Sequence, residues 1–206
     1  MKVLLVDAFD SFVFVIEHYY AKCGAKTKVV RVNDNPLEHY QQWQPDLLVL
    51  GPGPGTHEEH GYLDILNAID EDQAVFGVCL GHQAIGAFFG WKLMRAPTVE
   101  HGKYAMIQHD GQGIFNRVPS PIKVVRYHSL AIAAPELDGE LLTTAITQGS
   151  GVNMAIRHRT RPIEAVQFHP ESIGTEHGLA MVRNSLALVN RVSIMEQSLA
   201  PEKSTA

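Results

Sequence analysis

Four short apolar runs, KVLLV at residues 2–6, TKVVRV at 27–32, LLVL at 47–50 and VFGV at 75–78, constrain this chain more than any other feature. Each is short and rich in Val and Leu, which suits a strand buried on both faces. Between the first two, Phe12, Val13, Val15, Ile16, Tyr19 and Tyr20 recur at helical spacing from Ser11 until Gly24, the residue expected to stop a helix. Further helices are expected over residues 59–69 and 84–89, the second directly after the fourth run. Strands alternating with helices predict an α/β fold with a mostly parallel central sheet covered by helices on both faces.

After Gly90 the pattern changes. Short extended stretches at 104–108, 123–127, 141–144 and 152–156 are divided by Gly, Pro and Asp, which predicts a mixed or antiparallel extension of the same sheet. Residues 163–168 form a last buried strand and 178–190 a closing helix. No repeat or linker divides the chain. One domain over residues 1–190 is expected, with residues 191–206 as a frayed tail.

Composition excludes some classes of function. The formal charge of −5 over 206 residues, without a basic tract, argues against a nucleic-acid partner. No apolar run approaches the roughly 18 residues of a membrane span. Cys23 and Cys79 are the only cysteines; two do not make a disulfide framework, and a reducing cytoplasm is the expected compartment.

Cys79 lies in GVCLGHQ, residues 77–83, with Gly77 and Gly81 on either side. This is the G-x-nucleophile-x-G spacing of a strand-to-helix elbow, with cysteine in the serine position. A helix beginning there directs its first N–H groups at the sulfur and favours thiolate, and the Leu80 N–H is placed to stabilise an oxyanion. A buried cysteine between unrelated glycines is the competing reading. The best candidate for a base is His169 in VQFHPES, residues 166–172, at the C-terminal end of the last strand, with Glu171 two residues on to hold the imidazole. A surface His-Pro turn is the alternative. In LGPGPGTH, residues 50–57, Gly53 offers a second oxyanion N–H; a plain connecting turn is the alternative there. HEEH at 57–60 has no accompanying ligand set of known spacing, so no metal site is expected. Cys23 is read as a packing residue.

Taken together, GPGPG, GVCLGHQAIG, HGK (101–103), RYHSL (126–130), MAIRH (154–158) and VQFHPES resemble the class I, triad-type glutamine amidotransferases over residues 1–190. HGK and RYHSL resemble the branch that supplies ammonia to chorismate-using synthases. The resemblance implies a flavodoxin-like core, with Cys79 as nucleophile, His169 as base and acid, and Glu171 as orienter. It implies a glutamine site at Gly51, Pro52, Gly53, Gln83, Ser129 and Leu130, with the N–H groups of Gly53 and Leu80 as oxyanion donors. No cofactor or metal is implied in this chain; Mg2+ belongs to the expected partner, the large subunit of anthranilate synthase or of aminodeoxychorismate synthase. Ala8, Val13 and Phe14 replace polar residues of the usual first loop, and Ala105 replaces a serine; the first three are expected to form a partner surface. The other classes considered are a different Cys-elbow hydrolase and a catalytically silent regulatory subunit.

Overall fold

The computed structural model describes residues 1–96, 102–135 and 139–190. His101 of the HGK string and the expected tail at 191–206 lie outside the described residues.

The parallel core consists of β1 (Lys2–Asp7), β2 (Lys26–Arg31), β3 (Leu47–Leu50), β4 (Ala74–Val78) and β11 (Ile163–Val166). They stand side by side in the order β2-β1-β3-β4-β11, all parallel. The sheet continues through β10 (Asn153–His158), β9 (Leu141–Thr147), β6 (Lys103–His109) and β7 (Ile122–Arg126), all paired antiparallel. The nine strands thus form one parallel-to-antiparallel sheet, as the change of pattern after Gly90 predicts. A separate pair, β5 (Lys92–Arg95) with β8 (Leu130–Ala133), is not foreseen by the sequence reading.

Successive side chains of a strand point to opposite faces, and the core divides accordingly. Val3, Leu5, Val49, Phe76 and Val78 pack with α1 (Val13–Lys22) and α5 (Gly178–Ser185) on one face. Leu4, Val6, Leu48, Leu50 and Val75 pack with α3 (Tyr62–Ala68) and α4 (Leu80–Phe88) on the other. On the first face the buried Tyr20 hydroxyl lies 2.8 Å from Ser185 Oγ, tying α1 to α5.

Several expected boundaries move for local reasons. The expected helix 59–69 begins only at Tyr62, because Gly61 caps it in the left-handed conformation, φ 66°. The expected helix 84–89 begins four residues early, at Leu80, because β4 passes into α4 with only Cys79 between them. The expected strand 163–168 ends at Val166, and the expected helix 178–190 is α5 over Gly178–Ser185. A further helix, α2 (Pro36–Trp43), has no fully buried residue and so no apolar stripe to announce it. Its one signal is Pro36 at the first helical position. Cys23 is half-buried at the C-terminus of α1.

Candidate active site

β4 and β11 are adjacent and parallel, with Val78 opposite Val166. Residues 90 positions apart therefore leave the sheet at the same edge, where the strands of an open α/β sheet end and its sites form. The Cys79 N–H donates to Val166 O at 2.8 Å, one step beyond the register pair. The loops after β1 and β3 open on the same edge.

Cys79 itself carries the strain of the elbow, at φ 52° and ψ −94°. Such a conformation costs a non-glycine residue about 1–3 kcal/mol. The flanking glycines do not have positive φ; they permit close approach instead of supplying the turn. A Cβ on Gly77 would lie 2.8 Å from the Gly81 backbone, and one on Gly81 would overlap the Leu50 carbonyl oxygen. Two glycines thus let α4 press against β3 and β4, which aims its first N–H groups at the sulfur. The Leu80 N–H, at the first helical position, has no partner within the helix.

His169 Nδ1 and Glu171 Oε1 are 2.6 Å apart, and both residues are buried. The other ring nitrogen, Nε2, is buried without a hydrogen-bond partner, as is Glu171 Oε2. Burial, the largest single influence on the ring, disfavours its cation. The Cys79 sulfur and then Glu171 outweigh it, and the His169 pKa stands well above the ordinary imidazole value. The link between His169 and the sulfur is thus one of charge, with no formed hydrogen bond on Nε2. Tyr127 packs edge-on against the imidazole, with centroids 5.1 Å apart. A sulfur at a helix N-terminus, an imidazole beside it and a carboxylate holding the ring have the layout of nucleophile, base and orienter.

Cys79 lines two cavities. The smaller, about 150 Å³, is bounded by Gly53, Leu80, Gln83, Ser129 and Leu130 among others. The larger, about 330 Å³, lies between the sulfur, His169 and the first loop, Phe9 to Phe12. Of the residues expected to hold glutamine, Gly51 and Pro52 line neither. Gly51 is at the root of its loop, with its N–H given to Val6 O at 3.0 Å and its carbonyl accepting from the Tyr62 hydroxyl at 3.0 Å. Gly53 faces both cavities, and a Cβ there would overlap Ala8.

The first loop differs from its expected role. Ala8 and Val13 are buried, Ala8 against Gly53, and present no surface. Phe14 is exposed, and Phe9 and Phe12 are half-exposed beside the larger cavity. The carboxylates of Asp7 and Asp10 hold this loop by accepting from the Asp10 and Phe12 N–H groups at 2.9 and 2.7 Å. Among the described residues no cluster of His, Cys, Asp and Glu could hold a metal ion; in HEEH, Glu59 accepts from the Thr56 N–H and His60 meets the Pro54 carbonyl. No helix among the described residues is long and apolar enough to cross a membrane. The sequence reading missed Gln167 and His82, both fully buried beside the sulfur and the Gln83 side chain. Two polar residues inside otherwise apolar strings were the available signal.

Comparison with known proteins agrees with this geometry. The model of the family described as Glutamine amidotransferase class-I matches residues 4–189. An aminodeoxychorismate synthase of Streptomyces griseus is 43% identical over 199 residues, covering 93% of this chain and 26% of that protein, so this chain spans about a quarter of its length. An anthranilate synthase component 2 of Azospirillum brasilense is 40% identical over 191 residues, covering 92% of this chain and 97% of that one. Among solved structures, a GMP synthase subunit from Thermoplasma acidophilum superposes with a TM-score of 0.83 at 25% identity, covering 96% of this chain and 98% of that one. The chain belongs to the class I glutamine amidotransferases.

Proposed function

We propose that the chain is the glutaminase half of a chorismate-using synthase, and that it hydrolyses L-glutamine through Cys79, His169 and Glu171. The observation that carries this reading is the Cys79 sulfur at the start of α4, facing an imidazole that Glu171 holds at 2.6 Å, at the mouth of a small polar cavity. The Cys79 thiolate adds to the γ-carbonyl carbon of glutamine, and the oxyanion is held by the N–H groups of Leu80 and Gly53. The C–N bond breaks as His169 gives its Nε2 proton to the leaving nitrogen, forming ammonia and a glutamyl thioester. Water, deprotonated by the same nitrogen, adds to the thioester; the C–S bond breaks and glutamate leaves. Gln83, Ser129 and Leu130 bound the substrate's cavity. The larger cavity, on the His169 side of the sulfur, offers ammonia a way towards the exposed Phe9 and Phe12, where a synthase subunit would dock. No cofactor takes part in this half; Mg2+ and chorismate belong to the partner.

Anthranilate synthase is the preferred partner, supported by the near-complete mutual coverage with the Azospirillum component. Aminodeoxychorismate synthase is the second reading, favoured by the somewhat higher identity of the Streptomyces protein. A cytoplasmic heteromer fits either. The experiment is glutamate release and product formation with each large subunit in turn. The correct one raises glutaminase activity at least about tenfold, or about 1.4 kcal/mol of barrier. The Cys79→Ser chain in that complex loses synthesis from glutamine and keeps synthesis from ammonium salt. Retained glutamine-dependent synthesis in Cys79→Ser overturns the nucleophile. Activation only by the large chain of aminodeoxychorismate synthase selects the second reading.

A further inference from the structure

We propose that Gln167 is a positioning residue of this site. Its side-chain Nε2 donates to the Cys79 sulfur while its Oε1 fixes the Gln83 amide, so one buried side chain sets both the charge state of the nucleophile and the atom that Gln83 offers to glutamine. This rests on the glutaminase reading of the two cavities and deepens it.

Gln167 is the first residue past the end of β11, fully buried, with its backbone N–H given to Met154 O at 2.9 Å. Its Nε2 lies 3.6 Å from Cys79 Sγ, within reach for a donor to sulfur. Its Oε1 accepts from Gln83 Nε2 at 3.2 Å, and the same Gln83 nitrogen donates to Leu130 O at 3.3 Å. Both Gln83 hydrogens are therefore used inside the protein. What Gln83 keeps for a ligand in the smaller cavity is Oε1, an acceptor suited to an N–H donor.

The opposite orientation of the Gln167 amide fails at both ends. It would set a carbonyl oxygen against the thiolate and an NH2 group against the Gln83 nitrogen. A third buried group stands behind this arrangement. His82 Nε2 lies 2.9 Å from Asn153 Oδ1, and Asn153 donates in turn from Nδ2 to Thr143 Oγ1 at 2.9 Å. Nε2 is therefore the protonated nitrogen of that ring. Burial pushes the His82 pKa down to about 3, so the ring is neutral at working pH. Its bare Nδ1, buried without a hydrogen-bond partner, faces the Gln167 amide and can only accept. An acceptor there favours the NH2 end of Gln167 on its side, the end that also meets the sulfur.

The titratable groups that act on the sulfur are His169, past β11, and Tyr62, on α3; Asp7 and Asp10 act on Tyr62 in turn. None of them can replace the amide as a neutral donor fixed in place. A hydrogen bond to a charged group is stronger than one to a neutral group. Loss of the Gln167 donor therefore raises the pH at which Cys79 becomes thiolate.

The test uses the isolated full chain and needs no partner. Alkylation of Cys79 by iodoacetamide is followed against pH, with mass spectrometry separating its peptide from that of Cys23, and glutamine protection gives the affinity. Gln167→Met should move the alkylation midpoint up by about one pH unit and weaken protection at least about fivefold. Gln83→Met should weaken protection and leave the midpoint in place, which a general loosening of the site would not do. If Gln167→Met does not fold, Gln167→Glu keeps the shape, replaces the donor with an acceptor and should raise the midpoint at least as far. A wild-type midpoint in the folded Gln167 variant overturns the donor role, and unchanged protection overturns the link to Gln83. If glutamine fails to protect the wild-type chain, the glutaminase reading falls, while the midpoints still decide whether Gln167 acts on the sulfur.

Discussion

Cys79 and His169 stand at the ends of neighbouring strands, yet the protein holds them by opposite means. The elbow at Cys79 is held by shape: Gly77 and Gly81 leave no space for a side chain between α4 and the backbones of β3 and β4. The turn at His169 is held by hydrogen bonds from the antiparallel wing. Its N–H donates to Val125 O at 3.3 Å, and its carbonyl accepts from Thr175 Oγ1 at 2.7 Å; the same hydroxyl accepts from the Val125 N–H at 3.0 Å. The parallel core therefore fixes the nucleophile and the antiparallel wing fixes the base. A packed elbow should fail at the first added methyl group. A hydrogen-bonded turn should tolerate any change that keeps its donors and acceptors.

The largest effect is expected where the two regions meet. Glu171→Gln keeps the shape but removes the charge that stabilises the imidazolium, and kcat in the active complex should fall by about 10²–10⁴ with little change in the glutamine KM. A wild-type kcat would mean that Glu171 only fills space.

Gly81→Ala tests the elbow. Alanine favours a helix over glycine by about 1 kcal/mol, but the added Cβ meets the Leu50 carbonyl, and overpacking costs about 1–3 kcal/mol. The clash should win. A lowered Tm is expected, with kcat down about a hundredfold, because Leu50 leads into the loop carrying Gly53 and a shift of about 1 Å is enough for that. An unchanged Tm and rate would show that shape does not hold the elbow.

The hydrogen-bonded turn gives a smaller, chemically selective effect. Thr175→Val strands the His169 carbonyl and the Val125 N–H, a loss of about 1–3 kcal/mol in denaturant unfolding, whereas Thr175→Ser should restore most of it. If valine serves as well as serine, packing and not bonding holds the base. The smallest effect is expected at the rim: Ser129→Ala should raise the glutamine KM a fewfold, about 1 kcal/mol of lost hydrogen bonding, at constant kcat.

The same contrast explains what the sequence revealed. The strands β1, β3 and β4 read as apolar runs because almost every side chain in them is buried. The wing was legible as extended stretches, but β5, with three of its four residues exposed, carries no pattern to read. Cys79, His169 and Glu171 were legible because local spacing marks an elbow and a strand end, and β4–β11 pairing brings them together. The buried positions of Ala8 and Val13 were not, since their packing against the Gly51–Gly53 loop depends on a contact more than forty residues away. Gln167 was hidden for a related reason. In VQFHPES it looks like one more strand residue, and only the neighbouring strand shows that it faces a sulfur.

The central claim is that the two separately held ends act as one unit through charge, and the protonation of His169 tests it most directly. In the wild-type chain burial works against the imidazolium, and the sulfur and Glu171 overcome it, so the pKa lies above the ordinary value. Cys79→Ser removes the sulfur's charge and leaves the burial in place, so the pKa must fall. Titration of the His169 ring followed by ¹⁵N NMR, assigned by comparison with His169→Asn, should show a ring still charged above the usual imidazole range in the wild type and a lower midpoint in Cys79→Ser. An identical midpoint in the two chains would contradict the account, because the nucleophile and the base would then share an edge of the sheet without sharing charge.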